Sequence, residues 1–322
     1  MRKILLLTSG GDAPGMNAAI RAIVRTGYYH DLEVFACHNG YQGLVDQDIF
    51  QIRRENVAGI IQHGGTLLKS SRCQAFYKKV VRDKCHNFLK KQGIEGLIII
   101  GGDGSFRAAA IFESEGGPKS IGIPATIDND ISGTEYAIGF DTARNTALQA
   151  IDKIRDTAYS SNRYFVVEVM GRQAGFLAVD VAIAGGAEYV LVPEFPISID
   201  ELAKQINKPK RQKLSLIIIV AEAGKPGRSM DIVKRLRKLT PFEYRVCVLG
   251  HIQRGGSPTV MDREIGSRMG HLAVIALMEG KTNAMTAVQN SYLTLAPFPG
   301  PESPYRLLKN DDLLKLGEIL AT

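Results

Sequence analysis

Residues 121–130 read Ile-Gly-Ile-Pro-Ala-Thr-Ile-Asp-Asn-Asp, an apolar run that leads directly into one hydroxyl and two carboxylates. A parallel strand would deliver these residues to the carboxyl edge of a sheet, where open α/β folds bind their ligands. Of Asp128 and Asp130, one is then able to take a proton while the other orients a substrate hydroxyl. Thr126 is able to contact a transferring phosphoryl group. The alternative interpretation is an Asp/Asn-rich turn, since these residues favour turns.

Short apolar runs alternate with helical patterns along the rest of the chain. Near-continuous apolar strands separated by helices are typical of parallel sheets covered on both faces, so the predicted fold class is α/β. The predicted strands are residues 4–8, 33–37, 97–100, 120–123, 164–169, 189–192, 214–221 and 245–249. The predicted helices are residues 17–28, 106–113, 142–155, 174–184, 230–239, 263–279 and, after a Pro-rich break, 305–320.

Composition and charge argue against several classes of protein. The 322 residues are enough for two domains or one large one, and the 45% hydrophobic content is ordinary for a globular protein. The net charge of +7 is not gathered into a basic tract with stacking aromatics, so no nucleic acid is expected. No segment approaches the roughly 20 apolar residues that cross a bilayer, so no membrane is expected. Four scattered cysteines predict reduced thiols in a cytoplasmic protein.

Glycine-rich turns with an acidic residue follow two of the predicted strands, at residues 9–12 (Ser-Gly-Gly-Asp) and 101–105 (Gly-Gly-Asp-Gly-Ser). Glycines at a strand-to-helix turn let backbone N–H groups approach phosphate oxygens, and the helix N-terminus favours negative charge. Asp103 would repel a phosphate unless a divalent cation lay between them, so it is a predicted Mg²⁺ ligand, directly or through water. A tight turn with a helix cap is the alternative.

Five arginines lie near glycine-rich turns or strand ends: Arg72, Arg163, Arg172, Arg245 and Arg254. The planar guanidinium fork matches phosphate oxygens, whereas any single arginine is more often a surface residue. Together with the two acidic turns, the set indicates small phosphorylated ligands.

Five motifs occur in a specific order: residues 8–17 (Thr-Ser-Gly-Gly-Asp-Ala-Pro-Gly-Met-Asn), 101–105 (Gly-Gly-Asp-Gly-Ser), 126–130 (Thr-Ile-Asp-Asn-Asp), 168–172 (Glu-Val-Met-Gly-Arg) and 250–258 (Gly-His-Ile-Gln-Arg-Gly-Gly-Ser-Pro). In this order and spacing, the chain resembles the bacterial type of ATP-dependent 6-phosphofructokinases from residue 4 to about residue 289. The resemblance implies transfer of the ATP γ-phosphoryl group to the 1-hydroxyl of fructose 6-phosphate, a step of glycolysis.

The resemblance also implies roles for individual residues. It makes Asp128 the catalytic base, with Thr126 and Arg172 supporting the transferring phosphoryl group. The implied ATP-binding residues are Gly11, Tyr41, Arg72, Cys73, Gly102, Asp103, Gly104 and Ser105, of which Gly11 and Arg72 also serve catalysis and Asp103 serves Mg²⁺. The implied sugar-phosphate residues are Thr126, Asp128, Asp130, Arg163, Met170, Gly171, Arg172, Glu222, Arg245, His251 and Arg254, with Arg163 and Arg245 reaching the substrate of a neighbouring subunit.

Several positions depart from the family pattern or select within it. Pyrophosphate-using relatives carry Asp and Lys where this chain has Gly104 and Ala125, so ATP is the expected donor. Arg107 and Ala108 replace a neutral residue and a glycine near the adenosine, and Lys69 takes a usual glycine position. ATP binding is expected to persist.

The resemblance further implies ADP or phosphoenolpyruvate as an effector, although Gly59 replaces a common Asp in that region. The implied effector residues are Arg21, Arg25, Arg54, Arg155, Glu188, Arg211 and Lys213. The implied assembly is a homotetramer.

The implied architecture is two similar three-layer lobes with mostly parallel sheets and the active site in the cleft between them. Residues 1–140 plus 253–302 would bind ATP and Mg²⁺, and residues 141–252 plus 303–322 the sugar phosphate. Two alternatives stay open: a pyrophosphate-dependent phosphofructokinase, and a catalytically silent regulatory subunit that binds sugar phosphate and nucleotide.

Overall fold

The computed structural model describes residues 1–208, 215–300 and 302–321. The chain divides into two compact units. The first contains Met1–Ile127, Ile131–Thr142 and Arg254–Tyr305, and the second contains Asp128–Asp130, Ala143–Gln253 and Arg306–Thr322. Within the described ranges, no helix has the length and apolar character needed to cross a membrane.

The first unit is built on a mixed, mostly parallel sheet with seven strands in the described part of the chain. Their spatial order is β11 (Tyr292–Pro297), β10 (Ala284–Gln289), β5 (Lys119–Pro124), β4 (Gly96–Gly101), β1 (Lys3–Ser9), β2 (Glu33–Cys37) and β3 (Ile49–Gln51). The two edge pairs, β10 with β11 and β2 with β3, are antiparallel, and the other neighbours are parallel.

Helices cover both faces of this sheet because its central strands are apolar on both faces. The helices that begin in the first unit are α1 (Met16–Tyr29), α2 (Tyr41–Val45), α3 (Lys79–Gln92), α4 (Asp103–Ser114), α5 (Phe140–Ser161) and α9 (Val260–Met278). Leu5 and Ile99 pack in one cluster with Phe106 and Phe112 of α4. Side chains alternate along a strand, so Leu6 faces the other side, where α9 packs on β4 and β5 and against α1.

The second unit is built on a parallel sheet of four strands within the described residues, in the order β7 (Tyr189–Leu191), β8 (Leu216–Ala221), β6 (Tyr164–Val169) and β9 (Tyr244–Val248). Its further helices are α6 (Phe176–Ala184), α7 (Ile199–Ile206), α8 (Arg228–Leu239) and α10 (Asp312–Leu320). Leu202 of α7 and Leu236 of α8 pack with Val166 and Ile218 of the sheet. The predicted α/β class is confirmed, while Leu214, predicted to begin a strand, lies outside the described residues.

The last helix is shorter than predicted, because it begins at Asp312 and not at residue 305. Two backbone N–H groups before it have partners outside any helix. Arg306 N donates to Asp130 O at 2.8 Å, and Leu308 N donates to Glu194 Oε1 at 3.3 Å. These long-range bonds hold the preceding segment in a non-helical path.

Candidate active site

The first unit brings two of the predicted motifs and the start of a third to one sheet edge. Strands β1, β4 and β5 are adjacent and parallel, with Ser9 opposite Gly101 and Gly101 opposite Pro124. Ala125 N donates to Gly101 O at 2.9 Å, which continues the pairing past the end of β5. The two glycine-rich turns and residues 125–127 therefore leave the sheet side by side, at the edge where α/β folds bind ligands.

The glycine-rich turn before α4 combines one tightly packed glycine with two open ones. A Cβ added to Gly101 would lie 2.6 Å from Ser9 O, so this position requires glycine. A Cβ added to Gly102 or Gly104 would meet nothing within 4 Å. The backbone N–H groups at the start of α4 thus lie beside open space, as an anion-binding helix N-terminus requires.

Tyr41 holds this turn through a hydrogen bond to its backbone. Its hydroxyl donates to Ser105 O at 2.8 Å, and its ring stacks on Phe76 with centroids 4.3 Å apart. Burial raises the pKa of Tyr41, so the phenol stays protonated and remains a donor. Cys73 is half-buried against the same core, and the neighbouring Arg72 is exposed.

Arg254 lies against the first glycine-rich turn. Its Nη1 donates to Asp12 O at 3.2 Å, and a Cβ on Gly11 would lie 2.5 Å from the same Nη1. The structure therefore places Arg254, predicted to bind the sugar phosphate, beside Gly11, predicted to bind ATP.

Asp103 opens α4 with its carboxylate 5% exposed and in an ion pair with Arg107. Among the described residues, no cluster of three His, Cys, Asp or Glu residues could hold a metal by itself. Mg²⁺ in phosphate-transfer sites takes one or two carboxylates, with substrate phosphates and water completing the shell. A single buried carboxylate beside an open helix N-terminus fits that coordination.

The acidic run is buried and lies in the second unit. Asp128, Asn129 and Asp130 are 3%, 3% and 5% exposed, and Asn129 has φ 51°. Arg306 fixes the run, because its N and Nη1 donate to Asp130 O and Asn129 O at 2.8 and 3.1 Å. The guanidinium of Arg172 approaches Asp130, with Nη1 3.9 Å from Oδ2.

The turn that follows β6 carries three of the predicted substrate residues, Met170, Gly171 and Arg172. Met170 N donates to Gln253 Oε1 at 3.0 Å, and Arg172 N donates to Glu222 Oε1 at 3.1 Å. Gly171 has φ 134°, and a Cβ there would lie 2.6 Å from Ala174 O. Glu222 thus holds the backbone of the turn that presents Arg172.

Two predicted substrate residues lie at the opposite strand ends from this turn. Arg163 precedes β6 and Arg245 is the second residue of β9, so both lie at the amino-terminal ends of parallel strands. Both are exposed, and Arg245 pairs with Glu243 at 2.7 Å. His251 is exposed in a 3₁₀ helix, Gly250–Arg254, that follows β9.

The predicted effector residues fall in both units. Arg21 and Arg25 lie one turn apart on α1, and burial together with Arg25 lowers the pKa of Arg21. Arg54 stacks over Tyr28 at 5.7 Å. In the second unit, Arg155 Nη1 lies 3.7 Å from Glu188 Oε1. Arg211 and Lys213 lie outside the described residues.

Sequence reasoning missed two residues that support the predicted site. Gln253 is fully buried and accepts a hydrogen bond from Met170 N. It lies inside the motif at residues 250–258, so the sequence did contain a signal for it. Arg306 holds the acidic run from a segment about 180 residues away that was predicted to be helical, and no pattern around it indicates that contact.

Comparisons with known proteins place these features in one family. The family model for phosphofructokinase matches residues 3–277. The ATP-dependent 6-phosphofructokinase of Coxiella burnetii is 52% identical over 320 residues, which are 99% of this chain and 98% of that protein. The protein of the same name from Halothermothrix orenii is 47% identical over an alignment of 332 positions that covers 100% of both chains. A solved phosphofructokinase structure from Saccharomyces cerevisiae is 34% identical with a TM-score of 0.86, covering 92% of this chain and 45% of that longer one.

Proposed function

The chain belongs to the phosphofructokinase family, and from this premise we propose that it is an ATP-dependent 6-phosphofructokinase. It transfers the γ-phosphoryl group of ATP to the 1-hydroxyl of fructose 6-phosphate, giving fructose 1,6-bisphosphate and ADP. The observation that carries the proposal is that two glycine-rich turns and the residues that lead into the acidic run leave one sheet edge together, in a chain 52% identical to a protein of that name.

In this proposal Asp128 takes the proton of the sugar hydroxyl, and Thr126 and Arg172 contact the phosphoryl group in transit. Asp128 is only 3% exposed, and this supports its role because a proton acceptor shielded from bulk water keeps a fixed orientation. Phosphoryl transfer depends mainly on positioning and charge stabilisation. The bonds from Glu222 and Arg306 to this part of the chain supply positioning.

The nucleotide phosphates are proposed to bind at the N-terminus of α4 and the turn at Gly11. Support comes from the open space over Gly102 and Gly104. Asp103 would hold Mg²⁺ together with those phosphates. When bound, the ion supplies charge compensation for the phosphate oxygens.

We propose a homotetramer in which Arg163 and Arg245 reach the sugar phosphate of a neighbouring subunit. Their exposure, and their distance along β6 and β9 from the turn at Met170, support a role outside their own subunit's site. Sedimentation velocity measures the assembly. Mixing Arg245→Ala subunits with Asp128→Asn subunits should restore activity if the residues act in trans.

Regulation by ADP or phosphoenolpyruvate is proposed at the arginines of α1 and at Arg54 and Arg155. The close pair Arg21 and Arg25 supports it, since two guanidiniums one turn apart favour an anion. Fructose 6-phosphate saturation curves with and without each effector test this role. A cytoplasmic location is proposed from the glycolytic reaction.

One coupled assay separates the proposal from the two alternatives. The purified chain is given fructose 6-phosphate, Mg²⁺ and either ATP or pyrophosphate, and formation of fructose 1,6-bisphosphate is measured. We expect turnover with ATP and little with pyrophosphate. Turnover with pyrophosphate alone would establish the first alternative, and binding of both substrates without turnover the second.

A further inference from the structure

Arg107 forms an ion pair with Asp103, which lies one turn earlier on α4. Its Nε donates to Oδ2 at 2.5 Å and its Nη2 donates to Oδ1 at 3.2 Å, so both carboxylate oxygens are engaged. The Asp103 side chain is 4% exposed and the Arg107 side chain 21%. A two-point pair in such a shielded place is stronger than an ordinary surface pair.

The guanidinium is also held from its other side by a loop of the same unit. Its Nη1 donates to Gly300 O at 2.5 Å and its Nη2 to Ser303 O at 2.7 Å. Ser303 Oγ in turn accepts from Gly300 N at 2.9 Å, which fixes the spacing of the two carbonyls. A guanidinium does not lose its proton in proteins, so the side chain stays charged. Arg107 is thus a preorganised cation at a carboxylate, not a mobile surface side chain.

This placement bears on the charge balance at the proposed nucleotide site. A carboxylate beside phosphate oxygens is repulsive, and a divalent cation between them offsets the repulsion. A guanidinium fixed on the same carboxylate offsets part of the same charge without a cation. It also competes with a cation for both carboxylate oxygens.

We propose that Arg107 weakens the coupling between divalent cation and nucleotide at Asp103, so that this chain binds ATP with a reduced dependence on the cation. The inference rests on the proposed ATP site. Coupling between two ligands is reciprocal. The same arginine should therefore reduce both the gain in nucleotide affinity caused by Mg²⁺ and the gain in Mg²⁺ affinity caused by nucleotide.

The test is isothermal titration calorimetry with adenylyl imidodiphosphate, an ATP analogue whose β–γ linkage resists transfer. The dissociation constant is measured in excess EDTA and in excess Mg²⁺. The readout is the constant in EDTA divided by the constant in Mg²⁺. Arg107→Met should raise this ratio by about 10-fold or more over the unaltered chain, within the usual range of coupling factors. Arg107→Lys keeps the charge and should keep the ratio within about 3-fold.

Arg268→Met is the matched control. Arg268 also pairs with an acid one turn earlier on a helix, Glu264, but both side chains are more than half exposed. The control should leave the ratio unchanged, and melting temperatures report whether each variant is folded.

The outcomes separate this inference from the proposed function. If Arg107→Met weakens binding equally in EDTA and in Mg²⁺, or if Arg107→Lys behaves as Arg107→Met does, the inference is wrong while the ATP site stands. If the unaltered chain binds no analogue in either condition, the proposed function and the inference both fail.

Discussion

Asn129 separates the two acids of the run 126–130, and its backbone is left-handed. At φ 51° it occupies a region that asparagine tolerates better than most residues. Arg172 and Lys69 also have positive φ, at 50° and 57°. The value at Lys69 accounts for the glycine usual in the family at that position. Residue types were readable from the sequence, whereas these backbone conformations were not, because they depend on the partners that hold the turns.

The first residue-scale prediction concerns Asp128. Replacing it by Asn keeps the shape but removes the proposed proton acceptor, so turnover should fall by roughly 10²- to 10⁴-fold. Fructose 6-phosphate should still bind, because Asp130 and Arg172 are unchanged. Steady-state kinetics and equilibrium binding of the sugar phosphate measure the two effects, and near-normal turnover in the purified variant contradicts the assignment.

The second residue-scale prediction concerns the choice of phosphoryl donor at Gly104. A side chain there enters open space on the first turn of α4, where an acid stabilises a helix by about 0.3–1 kcal/mol, so Gly104→Asp should fold. Its added charge lies beside the proposed phosphates and should raise the KM for ATP by about 10-fold, the equivalent of about 1.4 kcal/mol. Gly104→Asn is the uncharged control and should have a smaller effect. An unchanged KM in both variants contradicts the proposed position of the nucleotide.

At the scale of elements, both units use a buried carboxylate to hold the start of a helix. Asp262 of α9 accepts from Gly139 N and Thr142 N at the start of α5, each at 2.8 Å. Glu168 of β6 accepts from Gly227 N and Ser229 N at the start of α8, at 2.6 and 2.7 Å. A carboxylate supplies acceptors for N–H groups that have no partner within the helix and also favours its dipole.

The element-scale prediction is that Asp262→Asn loosens the start of α5. Oδ1 of Asp262 accepts from Gly139 N and from the Tyr136 hydroxyl. Oδ2 accepts from Thr142 N and from the Thr142 hydroxyl, so both oxygens already face donors. The new NH₂ group must therefore face a donor in either orientation, which costs roughly 1–3 kcal/mol. Hydrogen exchange at Gly139 and Thr142 should accelerate, as mass spectrometry can measure.

The control for this prediction is Glu264→Gln, two residues further along the same helix, where the acid is exposed and pairs with Arg268. That variant should leave the exchange at α5 unchanged. Equal exchange in Asp262→Asn and the unaltered chain would mean that the carboxylate does not hold the helix.

Elements with strong apolar runs were predictable, including the edge strands β7 and β9 of the smaller sheet, whereas three strands toward the ends of the larger sheet were not. The strand predicted at residues 164–169 was found with the same bounds, and β1 differs by one residue at each end. Strands β3, β10 and β11, toward the two ends of the larger sheet, were missed because they are short or carry polar residues within the pattern, and they depend on pairing with a neighbour. Helix α3 was missed because polar and charged residues together occupy most of it.

At the scale of the whole molecule, each unit presents its proposed ligand residues at the carboxyl ends of parallel strands. The sequence predicted the motifs that follow β1, β4, β5 and β6, because each motif follows an apolar run. The sequence did not predict which arginine holds which turn. Arg107 pairs with Asp103 one turn earlier on the same helix, whereas Arg254 bonds the backbone of Asp12 and Arg306 the backbone of Asn129 from distant parts of the chain, and only the tertiary fold makes these two contacts.

The cores of both units contain weak acids that burial keeps protonated. Burial raises the pKa of Cys37 to about 12 and the pKa of Cys85 to about 11. It also raises the pKa of Tyr41 and, in the second unit, of Tyr244. An unfolded thiol titrates near pH ~8.5, so the unfolded chain releases protons that the folded chain retains. The free energy of unfolding is therefore undiminished below about pH 8.5 and falls as the pH rises toward the folded-state values.

We expect the melting temperature to fall progressively between about pH 8 and pH 9.5, where thiols titrate in the unfolded chain and phenols do not. Above its unfolded-state pKa, each buried thiol lowers the free energy of unfolding by up to about 1.4 kcal/mol per pH unit. Replacing Cys37 and Cys85 by Ala lowers stability at every pH by leaving cavities, but it should make the pH slope shallower. Cys73→Ala removes a half-buried thiol and is the control, with a smaller effect on the slope. An equal slope in the double variant and the unaltered chain would mean that other groups govern alkaline unfolding.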